Sequence, residues 1–234
     1  MYYPMFYDPT YILIIIGVFL SLAASAKVNS TFARYAGVRN RRGITGQMAA
    51  EQILHQAGIY DVQVQRISGK LTDHYDPKNK ILRLSDSTYG STSVAAVGVA
   101  AHECGHAIQH ATNYLPLSIS GALVPVANFG AQISWPMIII GLLFNGNMSG
   151  LFINLGILLF SCSVLFQIVT LPVEFNASSR ALHILGGSGL LDQEEVGQAR
   201  KVLGAAALTY VAGAAASILQ LLRLLILTRG RRDD

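Results

Sequence analysis

Charged side chains are scarce in this 234-residue chain. Asp, Glu, Lys and Arg make up 13% of it, and hydrophobic residues make up 52%. A soluble domain usually carries roughly 25% charged residues. The deficit is concentrated in long apolar runs, and no Asp, Glu, Lys or Arg occurs between Glu103 and Glu174. This composition argues against an ordinary soluble protein and favours an integral membrane protein.

Cysteine is almost absent, and a strong excess of positive charge is absent too. The two cysteines, Cys104 and Cys162, lie in apolar surroundings and give no disulfide framework. The net charge is only +4, and the basic residues cluster near apolar segments. They indicate membrane topology and lipid contacts rather than a nucleic-acid surface, so the bilayer is the expected partner and nucleic acid is not.

Four apolar segments approach the roughly 20 residues that a membrane-spanning helix needs. They cover residues 11–26, 117–144, 151–171 and 203–222. The first reaches this length only with its aromatic front, Tyr2 to Tyr11, which suits a membrane interface. The fourth is rich in Ala and Gly, and it either spans the membrane or lies against the bundle. We predict a mainly α integral membrane protein with three or four transmembrane helices.

The distribution of Lys and Arg predicts how the chain is oriented. Small residues before Lys27 resemble a signal-peptide cleavage site, but no Lys or Arg precedes the apolar run, so we expect an uncleaved anchor. Residues 1–26 and 117–172 contain no Lys or Arg, whereas residues 27–116 contain ten. The N-terminus is therefore expected outside and the polar region in the cytoplasm, in a multi-pass protein of the inner or plasma membrane. The connection around 145–150 is then an external turn. If the fourth segment spans, the basic tail with Arg229, Arg231 and Arg232 ends outside, against the rule.

The polar region between the first two segments has the pattern of a small α+β fold. Apolar positions at helical spacing in residues 44–59 predict a helix that ends at Gly58. Residues 62–67 alternate like a strand, and residues 71–85 predict a hairpin whose second strand runs from Lys80 to Ser85. Ser91 or Ser93 is expected to cap a helix that continues through Ala111.

The predicted last helix of this region carries a His-Glu-x-x-His motif. His102 and His106 are four residues apart, so both imidazoles lie on one helix face and can bind one Zn²⁺. Glu103 lies beside them and is the expected general base for a zinc-activated water. The alternative is a chance pair of histidines on a polar helix face.

Catalytic zinc needs a third protein ligand and an open fourth position. His110 lies one turn beyond His106, and three histidines on one straight helix cannot converge on one tetrahedral ion. His55 and His74 are more typical of surface or core histidines. Glu174 is better placed, because it follows Pro172 in the first turns of a predicted helix where the chain re-enters the cytoplasm. Its alternative is a solvated interfacial charge.

Three stretches together resemble a known family: "LTDHYDPKNKILRLS", "AAHECGHAIQH" and "LPVEFNASSRAL". They are similar to the bacterial YugP-type neutral zinc metallopeptidases, and the resemblance covers nearly the whole chain. That family is in turn similar to the HtpX and CAAX prenyl protease gluzincins, whose third ligand is the Glu of Glu-[Phe or Tyr]-x-Ala-Asp. The resemblance implies a gluzincin-like zinc-peptidase domain, with His102, His106 and Glu174 as ligands of one catalytic zinc and Glu103 as base. Ser178 stands where that group has an Asp that orients a ligating histidine.

The resemblance also suggests how substrate binds. An extended peptide would add to an exposed strand beside the active-site helix, and Lys80 to Leu84 is the candidate edge, although an ordinary hairpin strand is as consistent with the pattern. An oxyanion donor besides zinc could come from Arg180, His183 or Tyr210. Tyr210 stands out as a polar residue amid Ala and Val, but it is equally typical of a membrane interface.

These observations predict five consecutive regions and one leading function. The regions are an N-terminal transmembrane anchor (1–26), a cytoplasmic peptidase region with a small sheet and the active-site helix (27–116), a transmembrane hairpin (117–172), a third-ligand helix region (173–202), and an apolar fourth helix with a basic tail (203–234).

The leading function is a membrane zinc endopeptidase that hydrolyses polypeptides at the cytoplasmic membrane face. One alternative is an inactive protease-derived scaffold or regulator, which the intact motif disfavours. Another is a metal transporter, which the absence of ionisable groups in the first three segments disfavours.

Overall fold

The structure is a computed structural model that describes residues 8–144 and 147–229. Within these residues, helices predominate and the strands form a small sheet. In chain order the elements are α1 (Tyr11–Ala36), α2 (Gly46–Gln56), β1 (Gln63–Ile67), β2 (His74–Asp76), β3 (Ile81–Ser85), α3 (Val94–Ala111), α4 (Leu115–Leu143), α5 (Asn147–Gly187) and α6 (Gln193–Arg229).

Among the described residues, four helices are long and apolar enough to cross a membrane. They are Tyr11–Ala36, Leu115–Leu143, Met148–Gly187 and Gln193–Thr228. This confirms the prediction of a mainly α membrane protein with three or four spanning helices and a small sheet. The fourth apolar segment is among the candidate spans. Most of the aromatic front, the middle of the α4–α5 connection and the end of the basic tail fall at 1–7, 145–146 and 230–234, outside the described residues.

Helices α1, α5 and α6 extend well beyond the apolar segments that revealed them, whereas α4 nearly coincides with its segment. The clearest case is α5, which runs without interruption through Pro172. The prediction that a helix begins at Pro172, with Glu174 in its first turns, was therefore wrong. Proline lacks a backbone N–H, but spanning helices tolerate it where neighbouring groups satisfy the freed carbonyl. Glu174 consequently lies in the interior of a long helix.

The chain divides into two compact units. The first comprises the described residues of Met1–Ala23, Ile119–Leu171 and Thr209–Asp234. Its helices pack closely, because small residues let backbones approach. A Cβ added at Gly130 would lie 2.4 Å from the carbonyl oxygen of Leu159. Nearby, the Ser163 hydroxyl donates to the carbonyl of Ala127 at 2.9 Å.

A partly buried ion pair joins the segment before α1 to the last turns of α6 within this first unit. Arg223 on α6 lies 2.9 Å from Oδ2 of Asp8, which precedes α1. Its guanidinium also donates to Thr10 and lies over the ring of Tyr11 at 4.6 Å. One residue further along α6, Leu224 packs in an apolar cluster with Ile138, Ile153 and Ile157 of α4 and α5. These contacts bring together four helix ends, namely the start of α1, the end of α4, the start of α5 and the end of α6.

The second unit comprises Ala24–Ser118 and Pro172–Leu208. Its sheet has the order β1-β3-β2, with β1 parallel and β2 antiparallel to β3. The predicted hairpin of β2 and β3 is confirmed, but the proposal that Lys80 to Leu84 forms an exposed edge was wrong. Strand β3 is hydrogen-bonded on both sides, because β1 occupies the side away from the hairpin.

Helix α3 is the centre of the second unit's core. It begins at the predicted cap, where the Ser93 hydroxyl accepts a hydrogen bond from the backbone N–H of Ala96. Most of its residues are buried, and its small Ala and Gly side chains allow close contact with α2, the sheet, α5 and α6. The predicted turn at the end of α2 is also present, since Gly58 has φ +73°. Helix α3 is thereby held rigidly, which suits an element that carries functional side chains.

Candidate metal centre

Helix α3 presents His102 and His106 to the same side, as the four-residue spacing predicts. The two Nε2 atoms lie 3.2 Å apart, with the rings nearly perpendicular. Both side chains are largely buried, at 12% and 16% exposed. The pair therefore offers two ring nitrogens to one point that solvent can still reach.

Close approach of α5 brings a carboxylate to the same point. Gly105 lies between the two histidines in sequence, and a Cβ there would be only 2.6 Å from the backbone carbonyl oxygen of Ala177. The glycine is required at this position because any larger residue would force the helix backbones apart. Ala177 itself is fully buried. This contact places Glu174, one turn earlier on α5, opposite the histidines.

Glu174 directs one oxygen at both imidazoles. Its Oε2 lies 3.2 Å from Nε2 of His102 and 3.5 Å from Nε2 of His106. This oxygen is buried, yet it accepts no hydrogen bond of regular geometry from any described residue. A buried carboxylate oxygen without a hydrogen bond is costly unless another partner satisfies it.

The three atoms have the spacing that a zinc ion requires. Their separations are 3.2, 3.2 and 3.5 Å. A tetrahedral zinc with bonds of about 2.0–2.2 Å holds its ligand atoms ~3.3 Å apart. His102, His106 and Glu174 form the one group of candidate metal-binding side chains within the described residues. Two imidazoles and a carboxylate are also a donor set that zinc prefers. The residues present therefore fit a zinc ion.

The outer nitrogen of each imidazole has its own partner. Nδ1 of His106 lies 3.1 Å from Oε1 of Gln109. Nδ1 of His102 lies 3.1 Å from the hydroxyl oxygen of Ser178. Metal-binding histidines usually donate this second N–H to an acceptor that orients the ring. The hydroxyl of Ser178 can accept the Nδ1 proton of His102 without adding a charge to the site.

Glu103 is the buried carboxylate of the site. Only 8% of it is exposed, and burial raises the pKa of its carboxyl group, while the neighbouring imidazoles of His102 and His106 oppose this rise. A raised pKa brings a carboxylate closer to the range in which it can both take and return a proton. The environment of Glu103 is therefore suitable for a general base.

The remaining histidines of the polar region have other partners. Nδ1 of His110 lies 2.9 Å from the hydroxyl of Tyr75 on β2. His55 contacts the ring of Tyr60, and His74 lies next to Arg83 on β3. None of the three belongs to the metal-binding group. His110 accordingly lies outside the candidate metal-binding group, and its ring contacts Tyr75.

None of the three candidate oxyanion donors belongs to the metal-binding group. Arg180 donates from Nε to Oδ1 of Asn176 at 2.7 Å, and its guanidinium lies over the ring of Tyr114. His183 lines a cavity beside Ile53 and the end of α5. Tyr210 belongs to the first unit, whereas the metal centre lies in the second. The identity of the donor stays a prediction.

Sequence reasoning missed one residue of this centre, Gln109. It is fully buried on α3, three residues after His106. The available signal was an amide on the same helix face as the ligands, in a helix whose residues before His102 are all small or apolar. That spacing alone does not distinguish an orienting amide from an ordinary polar residue.

Comparisons with known proteins show which family the chain belongs to. The family model described as "Putative neutral zinc metallopeptidase" matches residues 10–229. The "Putative membrane protease YugP" of Bacillus subtilis (strain 168) is 44% identical over 215 residues, which cover 92% of this chain and 94% of that protein. No solved structure matches the chain. The extent of both matches shows that the chain belongs to the neutral zinc metallopeptidase family.

Proposed function

We propose that this chain is an integral membrane zinc endopeptidase of the gluzincin type. His102, His106 and Glu174 hold one zinc ion, and Glu103 is the catalytic base. The observation that carries the proposal is the triangle of 3.2, 3.2 and 3.5 Å formed by two imidazole nitrogens and one carboxylate oxygen. Family membership supports the assignment to proteolysis.

Each residue has a defined task in peptide hydrolysis. Zinc, when bound, acidifies a water molecule and polarises the scissile carbonyl. Glu103 accepts the proton of the attacking water and returns it to the leaving amine. His102 and His106 present their Nε2 lone pairs because their Nδ1 atoms face Ser178 and Gln109. Substrate reaches the site through the exposed fraction of the three ligands, which is 12–16% of each side chain.

The substrate class proposed is a polypeptide in an extended, unfolded conformation. A folded domain cannot present a backbone carbonyl to three side chains that are mostly buried. With β3 internal to the sheet, main-chain pairing with substrate falls to a strand at the sheet's edge, β1 or β2.

We further propose that the five regions predicted from sequence have separate functions: some anchor the chain in the membrane, and others form the catalytic site. Residues 27–116 and 173–202 supply all four site residues, whereas 117–172 contain no Lys or Arg. The ten basic residues of 27–116 support a cytoplasmic location of the site in the inner or plasma membrane.

The proposal is tested by zinc content and proteolysis of the full chain purified in detergent. We expect one zinc per chain and cleavage of an unstructured polypeptide, lost with a chelator and restored by zinc. Glu174→Ala should lose zinc, while the control Glu51→Ala, at an exposed carboxylate on α2, should keep it. Full zinc affinity in Glu174→Ala would show that another residue is the third ligand.

A further inference from the structure

We infer that Gln109 is a positioning residue of the metal centre: one buried amide sets the proton of His106 and holds the Glu174-bearing turn of α5 against α3. The inference rests on the proposed zinc site and assigns a role to a residue outside its ligand set. Gln109 is fully buried, and side chains of this type are mostly exposed in proteins. Its burial therefore calls for partners at both ends of the amide.

The amide has a single orientation that satisfies both ends. Its Nε2 lies 2.8 Å from the backbone carbonyl oxygen of Val173 and 3.0 Å from Oδ1 of Asn176. Both partners are acceptors, so the NH₂ group must face α5. Oε1 then faces His106, where it lies 3.1 Å from Nδ1. The reversed amide would set oxygen against the carbonyl of Val173.

A second contact keeps Asn176 in its own orientation. Arg180 donates from Nε to Oδ1 of Asn176 at 2.7 Å. Arginine can only donate, so the atom it contacts must be the oxygen of Asn176. That oxygen therefore stays available as an acceptor for Gln109. The series Arg180, Asn176, Gln109 and His106 thus has one consistent assignment of donors and acceptors.

This assignment determines which nitrogen of His106 is free. An amide oxygen only accepts, so Nδ1 must carry the hydrogen. The lone pair of the neutral ring is then on Nε2, the atom that lies 3.5 Å from Oε2 of Glu174. The same amide binds Val173 and Asn176, which flank Glu174 in sequence. One side chain therefore controls both a ligand on α3 and the position of the ligand on α5.

The test compares Gln109→Met, which keeps the side-chain volume and removes the amide, with Gln52→Met at an exposed position on α2. Zinc affinity is measured by chelator competition, and Co²⁺ replacing zinc reports ligand geometry through its visible spectrum. We expect about 10- to 100-fold weaker zinc binding and an altered Co²⁺ spectrum in Gln109→Met, as for other groups that orient metal ligands. Gln52→Met should equal wild type. Unchanged affinity in a folded Gln109→Met variant would overturn the inference.

Asn176→Leu separates ring orientation from simple helix packing. It removes one contact of the Gln109 amide with α5 and leaves Oε1 to accept the Nδ1 proton of His106, so it should bind zinc more tightly than Gln109→Met; equal weakening would overturn the orienting role. If Gln109→Met does not fold, ¹⁵N spectra of histidine in the zinc-loaded wild type decide the question. We expect His106 with its proton on Nδ1 and the metal on Nε2, and the reverse assignment would contradict the inference. A wild type that folds but binds no zinc would refute the proposed function as well, which distinguishes that failure from failure of Gln109 alone.

Discussion

The hydroxyl oxygen of Ser178 lies 3.1 Å from Nδ1 of His102, and so links α5 to a proposed ligand on α3. A carboxylate would stabilise the Nδ1 proton more strongly and make the ring a better ligand. The serine keeps the orienting contact while it avoids a further negative charge beside Glu103 and Glu174.

Substitution of Ser178 should change zinc affinity without changing the ligand set. We expect Ser178→Ala to weaken zinc binding about 10-fold, because the ring of His102 loses its acceptor. Ser178→Asp should bind zinc at least as tightly as wild type. Chelator competition measures both, with Ser179→Ala as the control, since Ser179 is exposed on the neighbouring face of α5. Wild-type affinity in Ser178→Ala would show that the contact does not orient His102.

A methyl group at Gly105 should disrupt the centre through the backbone. Its Cβ would lie 2.6 Å from the carbonyl oxygen of Ala177, so α5 must move away and carry Glu174 with it. We expect Gly105→Ala to lose zinc binding and to be destabilised by roughly 1–3 kcal/mol, as in other overpacked cores.

The matched control is Gly197→Ala on α6, where an added Cβ meets nothing within 4 Å. This substitution should stabilise the protein by about 0.5–1 kcal/mol, because glycine is unfavourable inside a helix. Thermal melts and zinc content measure both variants. Normal zinc content in Gly105→Ala would contradict the proposed dependence of the site on close helix contact.

The turn between β2 and β3 should be sensitive to acid. The side chain and backbone of Asn79, and then Arg83, donate to Asp76 and hold the pKa of its carboxyl well below its usual range. A carboxyl whose pKa is lower in the folded state than in the unfolded state, where it is about 3.9, stabilises the fold at pH values above about 3.9. This contribution is lost as the pH falls through the pKa of the folded state. We expect wild type to melt above Asp76→Asn at pH 7, with the difference shrinking below about pH 4. In an Asn79→Ala background, Asp76→Asn should change the melting temperature at pH 7 only slightly. A change in melting temperature that is the same at every pH would contradict this account.

The ion pair of Asp8 with Arg223 predicts that both chain ends face the same side of the membrane. Arg223 contacts Asp8, Thr10 and Tyr11. Because these residues pair with it inside the protein, this basic residue on α6 need not act as a topology signal. In a background without Cys104 and Cys162, we expect Pro9→Cys and Thr228→Cys to react with an impermeant thiol reagent from one side. Tyr60→Cys, beyond α1 in the chain, should react from the other. Labelling of Thr228→Cys and Tyr60→Cys from the same side would show that α6 does not span.

Local chemistry explains which elements could be predicted. The Ser93 cap, the four-residue spacing of His102 and His106 and the Asp-Pro-Lys-Asn turn before β3 each depend on neighbours in sequence, and each structural element is present. The start of a helix at Pro172 was a local inference too, but it failed because a long apolar helix can accommodate proline.

Contacts between segments that are far apart in the sequence were harder to predict. Strand order is not contained in the pattern of one strand, so nothing in Lys80 to Leu84 shows that β1 pairs with β3 from the other side. The role of Gln109 depends on the carbonyl of Val173 and the amide of Asn176, which lie beyond a long charge-free stretch. Glu174 was an exception. The apolar residues 117–172 predict a membrane hairpin, and a hairpin would return Glu174 towards α3.

The central claim, that Glu103 acts as base beside a zinc held by His102, His106 and Glu174, is tested most directly by Glu103→Gln at matched zinc content. The variant keeps the size of the side chain and removes its basicity. We expect it to retain one zinc per chain and to cleave an unstructured polypeptide at least ~10²-fold more slowly than wild type, as when a general base is removed. The control Glu51→Gln should cleave normally. Cleavage by zinc-loaded Glu103→Gln at the wild-type rate would contradict the account.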